Sequence, residues 1–172
     1  MNINRMKRTL ATFAVGIVIT TSAIFLHELP AQNTTKIDAA APDEFVHPGI
    51  LHTAADLALI REKVANEIEP WKSGFDKLKS HPQSQADYRM RGPMEVVNRP
   101  GRGNSEMASD ANAAYQNALM FCITGDESHA AKSAEIIRGW SDKLKDIQGH
   151  DRQLAAGLYG FKLVAAAELL RC

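Results

Sequence analysis

Ala111, Ala114, Tyr115, Ala118, Leu119, Cys122 and Ile123 recur at spacings of three and four residues, so one unbroken stripe runs down several turns of helix. A helix carrying such a stripe is stable only when the stripe is covered, so the chain is committed to packing this element against others. No segment alternates apolar and polar residues as a half-buried strand would, and the cover is therefore expected to be helical. Asp110 reads as the N-cap of this helix and Gly125 as its stop. Asp126 caps a following helix whose face carries Ala130, Ser133, Ala134, Ile137, Trp140 and Leu144. After a break at Gly149, a last helix over about 151–171 carries Leu154, Leu158, Phe161, Ala165 and Leu169.

Upstream, Thr53 with Asp56 three residues later forms an approximate capping box and opens a helix over about 54–66. Pro70 fits the first turn of a second helix, in which Trp71, Phe75 and Leu78 share a face, and His81-Pro82 ends it. From about 81 to 109 there is no clean period, and Gly92-Pro93, Pro100-Gly101 and Gly103 act as breakers. A connection of that length is uncommon in a compact domain and often carries function. The expected class is all-α, built from antiparallel helical hairpins, with Ala113/Ala114, Ala130/Ala131 and Gly157/Gly160 suited to close helix approach. Periodicity does not choose among bundle, solenoid and toroid.

Arg5, Lys7 and Arg8 precede Leu10–Leu26, a run of 17 residues without charge, and His27, Glu28 and Pro30 close it before Ala31. Basic, apolar, then small is the order of a secretory signal, and the run also approaches the length of a membrane span. Residues 1–31 are therefore read as a signal peptide or an N-terminal anchor, and either places the remainder in the periplasm or outside the cell. Residues 32–46 read as a polar Ala/Pro-rich linker, leaving 47–172 as one domain. The whole chain balances 20 Lys+Arg against 20 Asp+Glu, and without residues 1–31 it holds 17 against 19. That balance argues against a nucleic-acid partner, which would need clustered positive charge.

Of the 6 histidines none is paired at i, i+4, so no metal is expected, and no sequence feature calls for a cofactor. Arg99-Pro100-Gly101-Arg102-Gly103 lacks the strand and the Lys-Ser/Thr ending of a phosphate loop. Cys122 lies on the apolar stripe and reads as a small core residue, with Cys172 incidental; a disulfide between them is the alternative in an oxidising compartment. The loop holds Tyr88, Arg89, Arg91, Arg99, Arg102 and Asn104, partly offset by Asp87, Glu95 and Glu106. It is either a solvated connection or a lid whose guanidinium groups grip carboxylates. Asp110 is explained by capping and Tyr115 by core packing, with substrate contact the alternative for each. For Trp71 and Trp140, core packing is preferred to sugar stacking.

HPGILHT (47–53), ADLALIREKV (55–64), EPWKSGFDKL (69–78), SDANAAYQNALMFCITGD (109–126) and AAGLYGFKLVAAAELLR (155–171) resemble, in order and spacing, the bacterial alginate lyase family. The resemblance implies a secreted or periplasmic polysaccharide lyase built as an incomplete α/α toroid, with helical hairpins circling a cleft. It also implies β-elimination on a uronic-acid polymer. There the C6 carboxylate is neutralised by hydrogen bonds, a His or Tyr base removes the C5 proton, and an acid protonates the leaving oxygen. The family's Asn-His motif and catalytic Tyr lie in the second half of the toroid, and no His in this chain follows an Asn. No catalytic residue is therefore assigned. Leu169-Leu170-Arg171-Cys172 stops within an apolar helix, which reads as a domain cut before its catalytic half.

What this half would supply is one wall of the cleft and its lid. Arg89, Arg91, Arg102 and Asn104 are the expected contacts to an acidic (uronate) polysaccharide, with Asp110 and Tyr115 behind them. The rival reading is a non-enzymatic helical-hairpin module of the cell envelope. Comparison of 109–126 with 143–160 gives no convincing self-match of the kind a repeat array requires. A third reading is a fragment that holds acidic polysaccharide without cleaving it.

Overall fold

The structure, a computed structural model, describes residues 46–172; the expected signal or anchor and nearly all of the linker lie outside the described residues. Helix α1 (Ala54–Ala65) opens on the expected capping box, with Asp56 N–H donating to Thr53 Oγ1 at 3.1 Å and Thr53 N–H donating to Asp56 Oδ2 at 2.9 Å. Helix α2 (Trp71–Ser80) follows a short turn and ends at His81, where Pro82–Ser84 make one turn of 3₁₀ helix. Helix α3 (Asn104–Thr124) is the longest element and the centre of the core. Gly125 ends it in the left-handed conformation (φ 75°), and the Asp126 carboxylate caps α4 (Glu127–Lys143) by accepting from Ser128 N–H at 2.9 Å. The chain closes with α5 (Arg152–Ala155), a π-helical turn (Ala156–Gly160) and α6 (Phe161–Leu169), which run on without interruption.

Two three-residue strands, β1 (Val96–Asn98) and β2 (Asp146–Gln148), pair in parallel with Val97 opposite Ile147. Strands this short carry no readable alternation, so the expectation of helix and loop alone is corrected here. They fasten the long loop to the segment after α4, and Val97, the middle residue of β1, is fully buried. The fold remains mainly helical.

Helix α3 is buried on more than one side. Asp110 meets Trp140, Ala114 meets Ser133 and Asn117 meets His129 along α4. Tyr159 meets Asn104, Lys162 meets Asn112 and Cys172 is bonded to Cys122 along the last helical segment. Ala111, Ala113, Ala114 and Ala118 are completely buried, and their small side chains let neighbouring backbones approach. Trp140 supplies the bulk that the alanines lack, at 1 % exposure.

Three expectations about faces change. Helix α3 begins six residues before Asp110, capped by Gly103 (φ 83°), so Asp110 is an interior residue and not an N-cap. The residues before it, Asn104-Ser105-Glu106-Met107-Ala108-Ser109, tolerate helix, and only the left-handed glycine marks the start. In the last helix Leu154, Leu158 and Phe161 are exposed, while Ala155, Tyr159, Ala165, Ala166 and Leu169 face inward. The wider π turn breaks the 3.6-residue period and turns Tyr159 inward in place of Leu158. Finally, Cys122 and Cys172 are joined as a disulfide, with Cα atoms 6.3 Å apart, where a buried thiol was the reading preferred from sequence.

Candidate functional site

The loop over 85–103 folds across the N-terminal part of α3, and a buried carboxylate holds it there. Asp110 is fully buried and accepts four hydrogen bonds. Its Oδ1 takes the Tyr88 hydroxyl and the Arg91 backbone N–H, each at 2.9 Å. Its Oδ2 takes the Gly92 N–H and the Trp140 indole N–H, each at 2.9 Å. Every partner is a donor, so both oxygens act purely as acceptors and no buried donor at this point is left over. Burial, and then the bond to Asp110, push the Tyr88 phenol well above its ordinary value. Gly92 packs so closely on Trp140 that a Cβ there would overlap the indole ring.

Anchored in this way, the loop exposes the Arg89, Arg91 and Arg102 side chains. The Arg91 guanidinium donates to Ser109 Oγ at 3.0 Å. Arg102 lines an open cleft of about 400 Å³ with Pro93, Met94, Glu95, Val96 and Lys143. Glu95 is flanked by Lys145 Nζ at 3.2 Å and Lys143 Nζ at 3.5 Å, and the Lys145 bond foremost holds its carboxyl below the usual range. The cleft thus has more cations than anions around its rim.

Beside it, three elements bring polar side chains together. Arg99 Nη1 donates to the Tyr159 hydroxyl and, at 3.5 Å, to Asn104 Oδ1; Tyr159 also donates to Asn104 Oδ1 at 3.1 Å. The Arg99 guanidinium carbon lies 5.6 Å from the centroid of the Tyr159 ring, a cation–π arrangement. Asn104 is the first residue of α3, Arg99 follows β1, and Tyr159 is carried in by the π turn.

Of the residues singled out from sequence, Arg89, Arg91 and Arg102 are thus exposed on one loop, and Asn104 follows it at the start of α3. Asp110 is sealed from solvent and organises the loop from beneath, so it cannot be a substrate contact. Tyr115 lies eleven residues beyond Asn104 on α3, roughly 16 Å along the axis, and belongs to a different neighbourhood. There its hydroxyl meets His52 Nε2 at 2.7 Å, and burial raises its pKa. That pair borders an apolar groove lined by Trp71, Phe75, Leu78, Leu119 and Ile123. The expected face of α2 is real, yet it lines an open groove, with Trp71 at 37 % exposure.

Arg99 and Tyr159 were not among the site residues expected from sequence. Their one signal was Arg99 in the arginine-bearing loop, since the turn that brings Tyr159 to it leaves no local pattern. Among the described residues no cluster of His, Cys, Asp and Glu could hold a metal ion, and no helix is long and apolar enough to cross a membrane. Compared with known proteins, the chain matches no family model, no curated protein and no solved structure.

Proposed function

We propose that this chain is an exported, alginate-lyase-like polypeptide forming the N-terminal side of an α/α toroid, and that its role is to hold an acidic polysaccharide. The observation that carries this reading is the run of exposed arginines on the anchored loop. Arg89, Arg91 and Arg102 are presented by a loop pinned through Asp110, next to the cleft that Arg102 shares with Lys143. A polymer bearing one carboxylate per sugar is a matching ligand, because guanidinium groups take carboxylates in two-pronged fashion.

Two further features support it. Contacts between α3 and α4 run in opposite residue order, while those between α3 and the last helical segment run in the same order. Helices leading out and back, with every second one aligned, are what a toroid of hairpins requires. The Cys122–Cys172 disulfide suits an oxidising compartment and so an exported chain.

In β-elimination the parent enzyme must neutralise the C6 carboxylate, remove the C5 proton and protonate the leaving oxygen. The arginine-bearing loop serves the binding of carboxylates along the polymer. No residue present here is assigned the proton transfers, so the chain by itself binds and does not cleave. The test is titration of the protein with polyuronate at low and high salt, with ultraviolet absorbance read for unsaturated product. Binding that weakens steeply with salt, and no product, is expected. Binding indifferent to salt, or absent, would overturn the reading, and product formation would overturn the assignment of catalysis to residues outside this chain.

A further inference from the structure

Among the described residues Arg99 and Lys162 are the half-buried cations with no carboxylate at ion-pair distance, and Lys162 directs its charge at Asn112 Oδ1, 2.6 Å away. Lys143 and Lys145, both well solvated, have Glu95 as carboxylate partner at 3.5 and 3.2 Å, where a counter-charge contributes least. Arg99 is half-buried, where a counter-charge contributes most, and among the described residues no carboxylate lies at ion-pair distance from it. Its neighbours are a phenol ring, a phenol hydroxyl and an amide oxygen, which orient a guanidinium without neutralising it.

The arrangement is also fixed. The Arg99 backbone N–H donates to Gln148 O at 2.9 Å and its carbonyl accepts from Asp151 N–H at 3.1 Å, so the root of the side chain is tied to β2 and to the residue that precedes α5. Tyr159 is only 7 % exposed and cannot swing away. Two donors are left over, since neither Arg99 Nη2 nor Asn104 Nδ2 has a protein acceptor among the described residues; Arg99 Nε is also unpartnered but enclosed, out of a ligand's reach. An oriented, uncompensated guanidinium with an amide donor beside it is complementary to one planar carboxylate.

We propose that Arg99, held in place by Tyr159 and Asn104, is the specific carboxylate-binding site of this chain and takes a single uronate unit of the polymer. Uronate as the ligand rests on the polysaccharide reading above; the carboxylate site itself does not. The exposed arginines 89, 91 and 102 then form the electrostatic rim that attracts the polymer, while Arg99 fixes one sugar of it.

The experiment is calorimetric titration of the full chain at low salt with three probes: a mannuronate trisaccharide, the same trisaccharide with its carboxyls reduced to alcohols, and propane-1,2,3-tricarboxylate. Arg99→Gln should weaken the uronate probe at least tenfold, Arg99→Lys severalfold, and Lys77→Gln, on the exposed side of α2, less than twofold, with the reduced trisaccharide not binding any of them. Should Arg99→Gln fail to fold, Asn104→Ala serves in its place, with a severalfold loss expected. Uronate binding unchanged in these variants would overturn the Arg99 site and leave the polysaccharide reading standing. Tricarboxylate binding that depends on Arg99, without uronate binding, would uphold the site and overturn the polysaccharide reading. Binding of none of the probes would overturn both.

Discussion

Replacing Asp110 by Asn tests the central physical claim about this fold, that one buried carboxylate fastens the loop to the helix pair. The change is nearly isosteric, so no cavity term enters. Asn offers one oxygen and one NH2 group, whereas four donors now converge on two oxygens, two on each. Either orientation of the amide leaves two donors facing a donor. A buried donor deprived of its acceptor costs about 1–3 kcal/mol, so Asp110→Asn should cost about 2–6 kcal/mol. That is a large share of the roughly 5–15 kcal/mol by which a domain is stable. Urea unfolding followed by Trp fluorescence measures it, with the slope checked so that a change in midpoint can be read as stability. Tyr88→Phe removes one of the four donors and should cost about 1 kcal/mol alone and less in the Asp110→Asn background. A loss below about 0.5 kcal/mol for Asp110→Asn, the range of an ordinary surface change, would refute the claim.

Reduction of Cys122–Cys172, or Cys172→Ser, releases a closed loop with a sequence separation of 50 residues. Chain entropy puts that at about 4 kcal/mol, and an unfolding midpoint unchanged by reductant would contradict it. The raised pKa values of Tyr88 and Tyr115 mean that the folded state resists their ionisation. Their contribution is complete below the ordinary phenol value of about 10 and is lost as pH rises above it. Spectrophotometric titration should therefore show the Tyr88 and Tyr115 phenols ionising later than ordinary phenols while the fold is intact; both titrating at the ordinary value in the folded protein would be the contrary result. Glu168 is held below the usual carboxylate range, first by His47 Nδ1 at 2.6 Å and also by the Gly49 N–H. Its contribution is present above the ordinary Glu value and is lost as pH falls through the lowered one, so Glu168→Gln should flatten the acid limb of the stability curve.

The parts of the fold that were legible are those whose cause is local. Thr53 with Asp56, Gly125 and Asp126 declare helix ends by chemistry contained within four residues, and each lies where the sequence puts it. Asp110 was misread because its partners are 18 to 30 residues away in sequence, at Tyr88, Arg91, Gly92 and Trp140. A carboxylate before an apolar stripe looks like a cap until something shows that the helix begins earlier. The one internal clue was its register: Asp110, Ala113, Ala114 and Asn117 fall on a single helical face, and polar residues on a packed face imply buried partners. The inward turn of Tyr159 left no such clue, since a π turn is a local exception to the period used to find it.

This difference bears on how the basic loop is to be judged. The sequence places Arg89, Arg91, Arg99 and Arg102 in one loop and leaves Arg99 out of the expected contacts, because it registers charge and says nothing of desolvation. Burial separates them. An exposed guanidinium is screened by salt and contributes attraction from any direction, which suits the capture of a long polyanion but discriminates poorly between its residues. A guanidinium withdrawn among Tyr159 and Asn104, with its main chain pinned at both N–H and carbonyl, has its direction chosen in advance. Such a group gives up little further entropy on binding and accepts only a ligand whose acceptor atoms match its remaining donors. On the proposed reading the loop would combine two physical roles that composition alone cannot tell apart. Asp110 serves both by fixing where the loop lies.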